Sequence, residues 1–181
     1  MDAYAIEAKG KMEKTIESYR ANLATLRTGR ASASMLNGIE IDYYGSPTPI
    51  NQIASITIPE PRQILIKPYD KNDVKAIVSA IAASNIGINP INEGLTIRLI
   101  IPVLTEERRK EIVKQARKYA EDAKVAIRNI RREFMEILKI DDSYPEDAMR
   151  KAQDDIQKVT DEAVKNVDKI LEEKEKEIMA I

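Results

Sequence analysis

The sequence predicts an α+β protein of two domains: an antiparallel three-helix bundle with a small α/β domain inserted between its first and second helices. Three observations lead there. Apolar residues recur at three- and four-residue steps in residues 3–28, 104–139 and from 146 onward, the spacing of helices that pack on helices. That period vanishes from Ala31 to Val103, a stretch holding seven of the eight Pro and four of the six Gly. The second and third helical stretches are joined by a short break, Asp141–Pro145, whereas the first reaches the second only through the whole irregular segment. Three matching seams pack most simply as a bundle, and 181 residues suffice for that core and a second one.

Residues 3–28 place Ala5, Ala8, Met12, Ile16, Tyr19, Leu23 and Leu26 on one helical face. Thr28-Gly29 reads as its end, with Gly29 free to adopt the left-handed backbone conformation. Ile39, Ile41 and Tyr43 alternate with acids as in a half-buried strand. Tyr44–Pro49 reads as a turn cluster. Ile53–Ile58, Gln63–Ile66 and Leu95–Ile100 read as further strands, Asn85–Pro90 as loop or short strand. Lys71–Ser84 reads as a short helix capped by Asp70.

The helical period returns after Pro102. Leu104–Lys139 contains no Gly or Pro; Thr105 suits its cap, and Glu106 and Glu107 its positive end. Its seam is Ile112, Ala116, Tyr119, Ala123, Ile127, Ile130, Phe134 and Ile137. Ser143 with Glu146 reads as a capping box for the last helix, whose seam runs Ala148, Ala152, Ile156, Val159, Ala163, Val167, Ile170 and Met179. The expected domains are 1–30 with 104–181, and 31–103. The chain crosses between them twice, so a hinge is expected at Gly29, Arg30, Ala31 and Ser32 and at Val103, Leu104 and Thr105.

The net charge of −1 averages unlike segments: residues 105–140 carry 11 basic and 7 acidic groups, residues 141–181 carry 7 and 13. On the long helix, Lys110, Lys114, Arg117, Lys124, Arg128 and Arg131 form a stripe beside the seam, with Glu121 the one acid within it. A solvated face is one reading of that stripe. The other is a phosphate-binding surface, favoured by the acid-free run from Lys124 to Arg131 and by arginine's bidentate geometry. An acidic protein partner would satisfy it equally. Arg27 and Arg30 read either as dipole-favoured residues at a helix end or as additions to a basic surface.

The chain has neither Cys nor His, which removes thiol chemistry, the usual nucleophilic triads and the commonest zinc ligand. Its six Gly form no phosphate-binding loop. No catalytic site, metal or cofactor is expected. No signal or membrane segment stands out, so a cytoplasmic protein is the default; aromatics at 4% argue against a base-stacking platform. The seams are consumed within one bundle, so a monomer is expected.

Four separated motifs then carry a resemblance. Arg27-Thr-Gly-Arg-Ala-Ser32, Tyr43-Tyr-Gly-Ser-Pro-Thr-Pro49, Leu104-Thr-Glu-Glu-Arg-Arg-Lys110 and Ala126-Ile-Arg-Asn-Ile-Arg-Arg132, with Gln153-Asp-Asp-Ile-Gln-Lys158 near the end, resemble the bacterial ribosome recycling factor family along the whole chain. Ala33 departs from the family pattern, which usually has Pro there. The resemblance implies an L-shaped arrangement of the two domains. It implies a bundle lying on ribosomal RNA across the A and P sites of the large subunit, and a partner, elongation factor G with GTP, that helps part the ribosome into subunits. It also implies that the factor itself hydrolyses nothing. Arg128, Arg131 and Arg132 match the family's RNA-contacting cluster; Arg27, Arg30 and Arg109 match further bundle positions, and Lys124 and Arg117 stay in the expected interface by their place on the stripe. A general RNA-binding or chaperone module, and a helical adaptor, are the competing readings.

Overall fold

In the computed structural model, which describes residues 1–180, the chain runs α1 (Ala3–Ala24), β1 (Glu40–Tyr43), β2 (Ser46–Pro49), α2 (Ile50–Ile53), β3 (Ala54–Glu60), β4 (Gln63–Pro68), α3 (Val74–Ala83), β5 (Ile91–Asn92), β6 (Ile97–Ile100), α4 (Glu106–Lys139) and α5 (Glu146–Met179). Short 3-10 turns occupy Ala33–Leu36 and Lys71–Asp73. Two units result, residues 1–28 with 105–180 and residues 29–104.

The first unit is the bundle of α1, α4 and α5. Asp2 starts α1, its carboxylate accepting the Tyr4 N–H at 2.8 Å. The helix closes at Ala24, four residues before the expected Thr28. Backbone bonds from Thr25 to Asn22 and from Leu26 to Leu23 tighten the last turn, and the Thr25 hydroxyl donates to the same Asn22 carbonyl at 2.6 Å. Thr105 caps α4 as expected, accepting the Arg108 N–H at 3.1 Å.

Cross-links fix the directions. Lys11 meets Glu133 at 3.1 Å and the Tyr4 hydroxyl donates to Asp141 at 2.6 Å, so α1 is antiparallel to α4. The Tyr19 hydroxyl donates to the Val167 carbonyl and Thr28 Oγ1 to Glu177, both at 3.3 Å, so α1 runs alongside α5 in the same direction. Each sequential neighbour is antiparallel, the up-down-up bundle the sequence predicts.

The seams differ in detail. On α4 the buried residues are Ile112, Ala116, Ala120, Ala123, Ile127, Phe134 and Leu138, while Tyr119, Ile130 and Ile137 are half-buried. Two helices pack on α4, so its apolar stripe is broader than one row. Ala120 lies within one turn of both Arg117 and Lys124, which reach toward α5, and so belongs to the α5 side. On α5, Ala148 and Met179 are exposed, and Ile178 and Thr160 are buried in the seam instead. The Thr160 hydroxyl donates to the Ile156 carbonyl at 2.8 Å, which satisfies it. The expected capping box does not form: Pro145 is the N-cap, and the Ser143 N–H and hydroxyl both donate to Asp141, at 3.0 and 2.6 Å.

The second unit holds a four-stranded sheet in the order β3-β4-β6-β5, antiparallel throughout, and a separate β1-β2 ribbon. Ile39, Ile41, Ile50, Ile53, Ile64, Ile66, Ile77, Ile81, Ile86, Ile88, Ile97 and Ile101 fill its core with Leu36, Ala54, Val74 and Leu99. The stretch that reads as a turn cluster is mostly strand. Only Tyr44 and Gly45 turn, both at positive φ (52° and 84°), and Ser46–Pro49 pairs with β1 in the register Glu40↔Pro49 to Tyr43↔Ser46. A two-residue turn of that handedness matches the twist of a hairpin, and a two-stranded ribbon has the free edges that proline requires. Asp70 caps as expected, accepting the Asn72 N–H at 2.9 Å, although the first turn is 3-10 before α3 begins.

Candidate nucleic-acid interface

The basic residues of α4 divide into two rows. Arg117, Lys124 and Arg131 are seven residues apart and lie along the groove between α4 and α5. Arg117 Nε donates to Glu175 at 2.7 Å. Lys124 pairs with Asp168. Arg131 Nε donates to Gln157 Oε1 at 2.6 Å, and the Gln157 amide donates in turn to Asp161 at 2.8 Å. The acids at the far end of these contacts, Glu175, Asp168 and Asp161, are also seven apart, descending as the bases ascend. Two antiparallel helices with heptad-spaced side chains must meet in this way. The result is three rungs, the third bridged by an amide. The Lys124 side chain is only 18% exposed, whereas that of Arg117 is 66% exposed. Glu175 raises the pKa of Arg117, first through the hydrogen bond and then through its charge.

The outer row is different. Arg128 is 52% exposed, and the nearest acid, Glu121, stands 3.7 Å away, a loose, solvent-screened pair. Arg132, one turn further, is exposed. Lys114 and Lys118 are exposed on the same side of α4. These side chains face away from both partner helices and present charge without competition from α5.

The remaining predicted residues scatter. Arg109 stands in the first turn of α4, and its Nε is buried with no hydrogen-bond partner. Arg27 lies past the end of α1, exposed, in the bundle unit. Arg30 is exposed but falls in the second unit, with Gly29. Gly29 has φ 79°, a conformation few other residues adopt without strain, and the Ala31 N–H bonds to the Pro61 carbonyl at 2.7 Å. Ser32 caps the 3-10 turn at Ala33–Leu36, and Ala33 occupies its first position. Val103 is exposed, Leu104 half-buried and Thr105 the cap of α4.

Reading α4 alone overlooks the acids of α5. The acid-free run from Lys124 to Arg131 is continuous on one helix, yet in the folded bundle its inner members already have partners. The heptad spacing of Asp161, Asp168 and Glu175 was the available signal.

At the opposite end of the bundle a polar clasp joins all three helices. The Tyr144 hydroxyl donates to Asp2 and the Tyr4 hydroxyl to Asp141, each at 2.6 Å, while the Asp2 N–H donates to Asp155 at 2.9 Å. The two rings stack with centroids 5.7 Å apart. Bonds from Ser143 and Tyr4 lower the pKa of Asp141; the bond to Asp2 pushes Tyr144 up to about 12. Among the described residues no cluster of acids is arranged to hold a metal ion, and no helix is long and apolar enough to cross a membrane.

The family model described as ribosome recycling factor matches residues 19–179. A ribosome-recycling factor of Staphylococcus carnosus is 51% identical over 178 residues, covering 97% of each chain. One from Syntrophomonas wolfei is 54% identical, covering 97% of this chain and 96% of its own. Among solved structures, a solution structure of the ribosome recycling factor superposes with a TM-score of 0.78 at 41% identity, covering 98% of this chain and 96% of that one. A second match is to models of the T. thermophilus ribosome recycling factor and the E. coli elongation factor G bound to the E. coli post-termination complex, with a TM-score of 0.62, 44% identity and 97% of each chain covered.

Proposed function

This chain belongs to the ribosome recycling factor family, and on that premise we propose that it binds the large ribosomal subunit after termination, across the A and P sites, and that with elongation factor G and GTP it parts the ribosome into subunits. The likeness that carries this reading spans nearly the whole chain, bundle and inserted unit together. One related structure shows a recycling factor and elongation factor G on a post-termination complex.

In this reading Arg128 and Arg132 make the principal contacts to ribosomal RNA, with Arg131, Lys124 and Arg117 behind them and Arg109, Arg27 and Arg30 as further contacts. Phosphate contacts position a protein without reading sequence, which suits a factor that meets the same RNA fold on every ribosome. A rigid 34-residue helix holds those cations at fixed spacing. The joints near 29–32 and 103–105 let the two units change their angle while the grip on RNA is kept. The factor works as a cytoplasmic monomer and hydrolyses nothing; GTP is the business of elongation factor G.

Sedimentation of post-termination ribosomes incubated with the protein, elongation factor G and GTP tests the activity. Free subunits in excess of the sample lacking the protein are expected, and RNA binding without that excess would leave only a general RNA-binding module. For the site, Arg132→Ala is expected to weaken large-subunit binding and flatten its salt dependence by about 0.7–0.9 log units per log unit of salt, the loss of one phosphate contact. An unchanged slope would return Arg132 to a solvated face.

A further inference from the structure

Two of the three rungs between α4 and α5 place a carboxylate where a phosphate would otherwise bind, Glu175 on Arg117 and Asp168 on Lys124; the third places the Gln157 amide, itself bonded to Asp161, on Arg131. Each inner cation already has a charge partner or, at Arg131, an amide that is itself held by a carboxylate. Among the described residues the outer row has no such ion pair beyond the loose Glu121 contact. An RNA that touches only the rim of α4 therefore meets Arg128 and Arg132, shares the exposed Arg117 with Glu175, and reaches Lys124 only by displacing Asp168. Charge exchange of this kind returns little net free energy, because one ion pair is broken for each one formed. RNA whose shape fits the helix adds contacts elsewhere to the outer row; RNA of arbitrary shape has the outer row alone.

We propose that Glu175 and Asp168, with Asp161 acting through Gln157, are specificity-determining residues, internal competitors that keep the inner basic row from binding RNA indiscriminately. The proposal rests on the reading of α4 as the RNA-contacting helix and adds a role for α5 within it. The acids act against the wrong RNA more than they help the right one.

The test compares two amide-substituted variants that lose the same charge. One carries Glu175→Gln, Asp168→Asn and Asp161→Asn; the control carries Asp154→Asn, Glu162→Gln and Glu173→Gln, exposed acids outside the rungs. The probes are an RNA duplex of arbitrary sequence and purified large ribosomal subunits, titrated over a range of salt. The rung variant is expected to bind the duplex about two- to fivefold more tightly for each of the two ion pairs it removes, at Arg117 and Lys124. Its salt dependence should steepen by about 0.7–0.9 log units for each of these two cations that then reaches a phosphate. Its preference for large subunits over the duplex should fall accordingly, and the control should move less in each respect.

An equal gain in the control would mean that net charge, not the rungs, is responsible, and would overturn the proposal. Weaker duplex binding by the rung variant would also overturn it, since the acids would then orient the cations for RNA. Circular dichroism checks that the triple variant is folded; the single Asp168→Asn variant carries the same test if it is not. Failure of Arg128→Ala and Arg132→Ala to affect large-subunit binding would count against the RNA-contact reading instead, a separate result from the comparison of rung with control.

Discussion

Among the described residues the bundle buries seven alanines, Ala5, Ala8, Ala116, Ala120, Ala123, Ala152 and Ala163, where the inserted unit buries twelve isoleucines and only Ala54. Small seam residues let helix axes approach closely and leave little room for added atoms. A sheet unit of 76 residues has one thin core and fills it with large β-branched side chains suited to strands. The two units are therefore vulnerable to opposite changes: the bundle to added volume, the inserted unit to lost volume.

That contrast is sharpest for Ile66→Ala. Ile66 is fully buried in β4, between β3 and β6, and its truncation is expected to cost about 2–5 kcal/mol. Loss of hydrogen-exchange protection among the amides of 29–104 measures it. Ala116→Leu is the matching change in the bundle. Ala116 is fully buried, and three added heavy atoms should cost about 1–3 kcal/mol through overpacking, read from the amides of α4 and α5. A bundle that accepted leucine at 116 without loss would show slack in the seam and end the contrast.

The smallest effect belongs to the clasp, which depends on pH where the cores do not. Asp141 has a lowered pKa, so its contribution is present above the ordinary value of 3.8 and fades as pH falls through the lower, folded value. Tyr144 has a raised pKa, so its contribution is whole below 10.0 and is lost as pH climbs toward about 12. Tyr144→Phe is expected to lower the melting temperature slightly at pH 7 and to converge with the parent protein as pH rises from 10.0 through about 12. A constant difference across that range would assign the loss to packing rather than to the Asp2 bond.

Much of this architecture was legible in spacing alone. Periodicity exposed α1, α4 and α5, since a helix seam repeats over many turns. The irregular segment was read less well. Ser46–Pro49 holds two prolines in four residues and looks like a turn, yet it pairs as β2; a ribbon edge tolerates what a central strand would not. β5 is two residues long and α2 four, too short for any period to emerge. The site was half legible. Arg128 and Arg131 lie on the basic stripe that spacing exposes, but Arg132 rested on family likeness, and no property of α4 by itself could reveal that α5 had claimed Arg131. Side chains at Ser143 had two local partners to choose from, and Asp141 in the turn won over the backbone at Glu146.

The rungs bear on mechanics as well as charge. Two apolar seams built on heptads have shallow alternatives one repeat away, because sliding by seven residues again sets apolar rows face to face. Arg117 with Glu175, Lys124 with Asp168 and Arg131 with Gln157 recur at that same interval, about 10.5 Å along the axis, so a slide of one heptad would leave one of the three cations without its rung. A load applied along α4 and α5 must shear all three rungs together, as teeth of a rack share the force on a pinion.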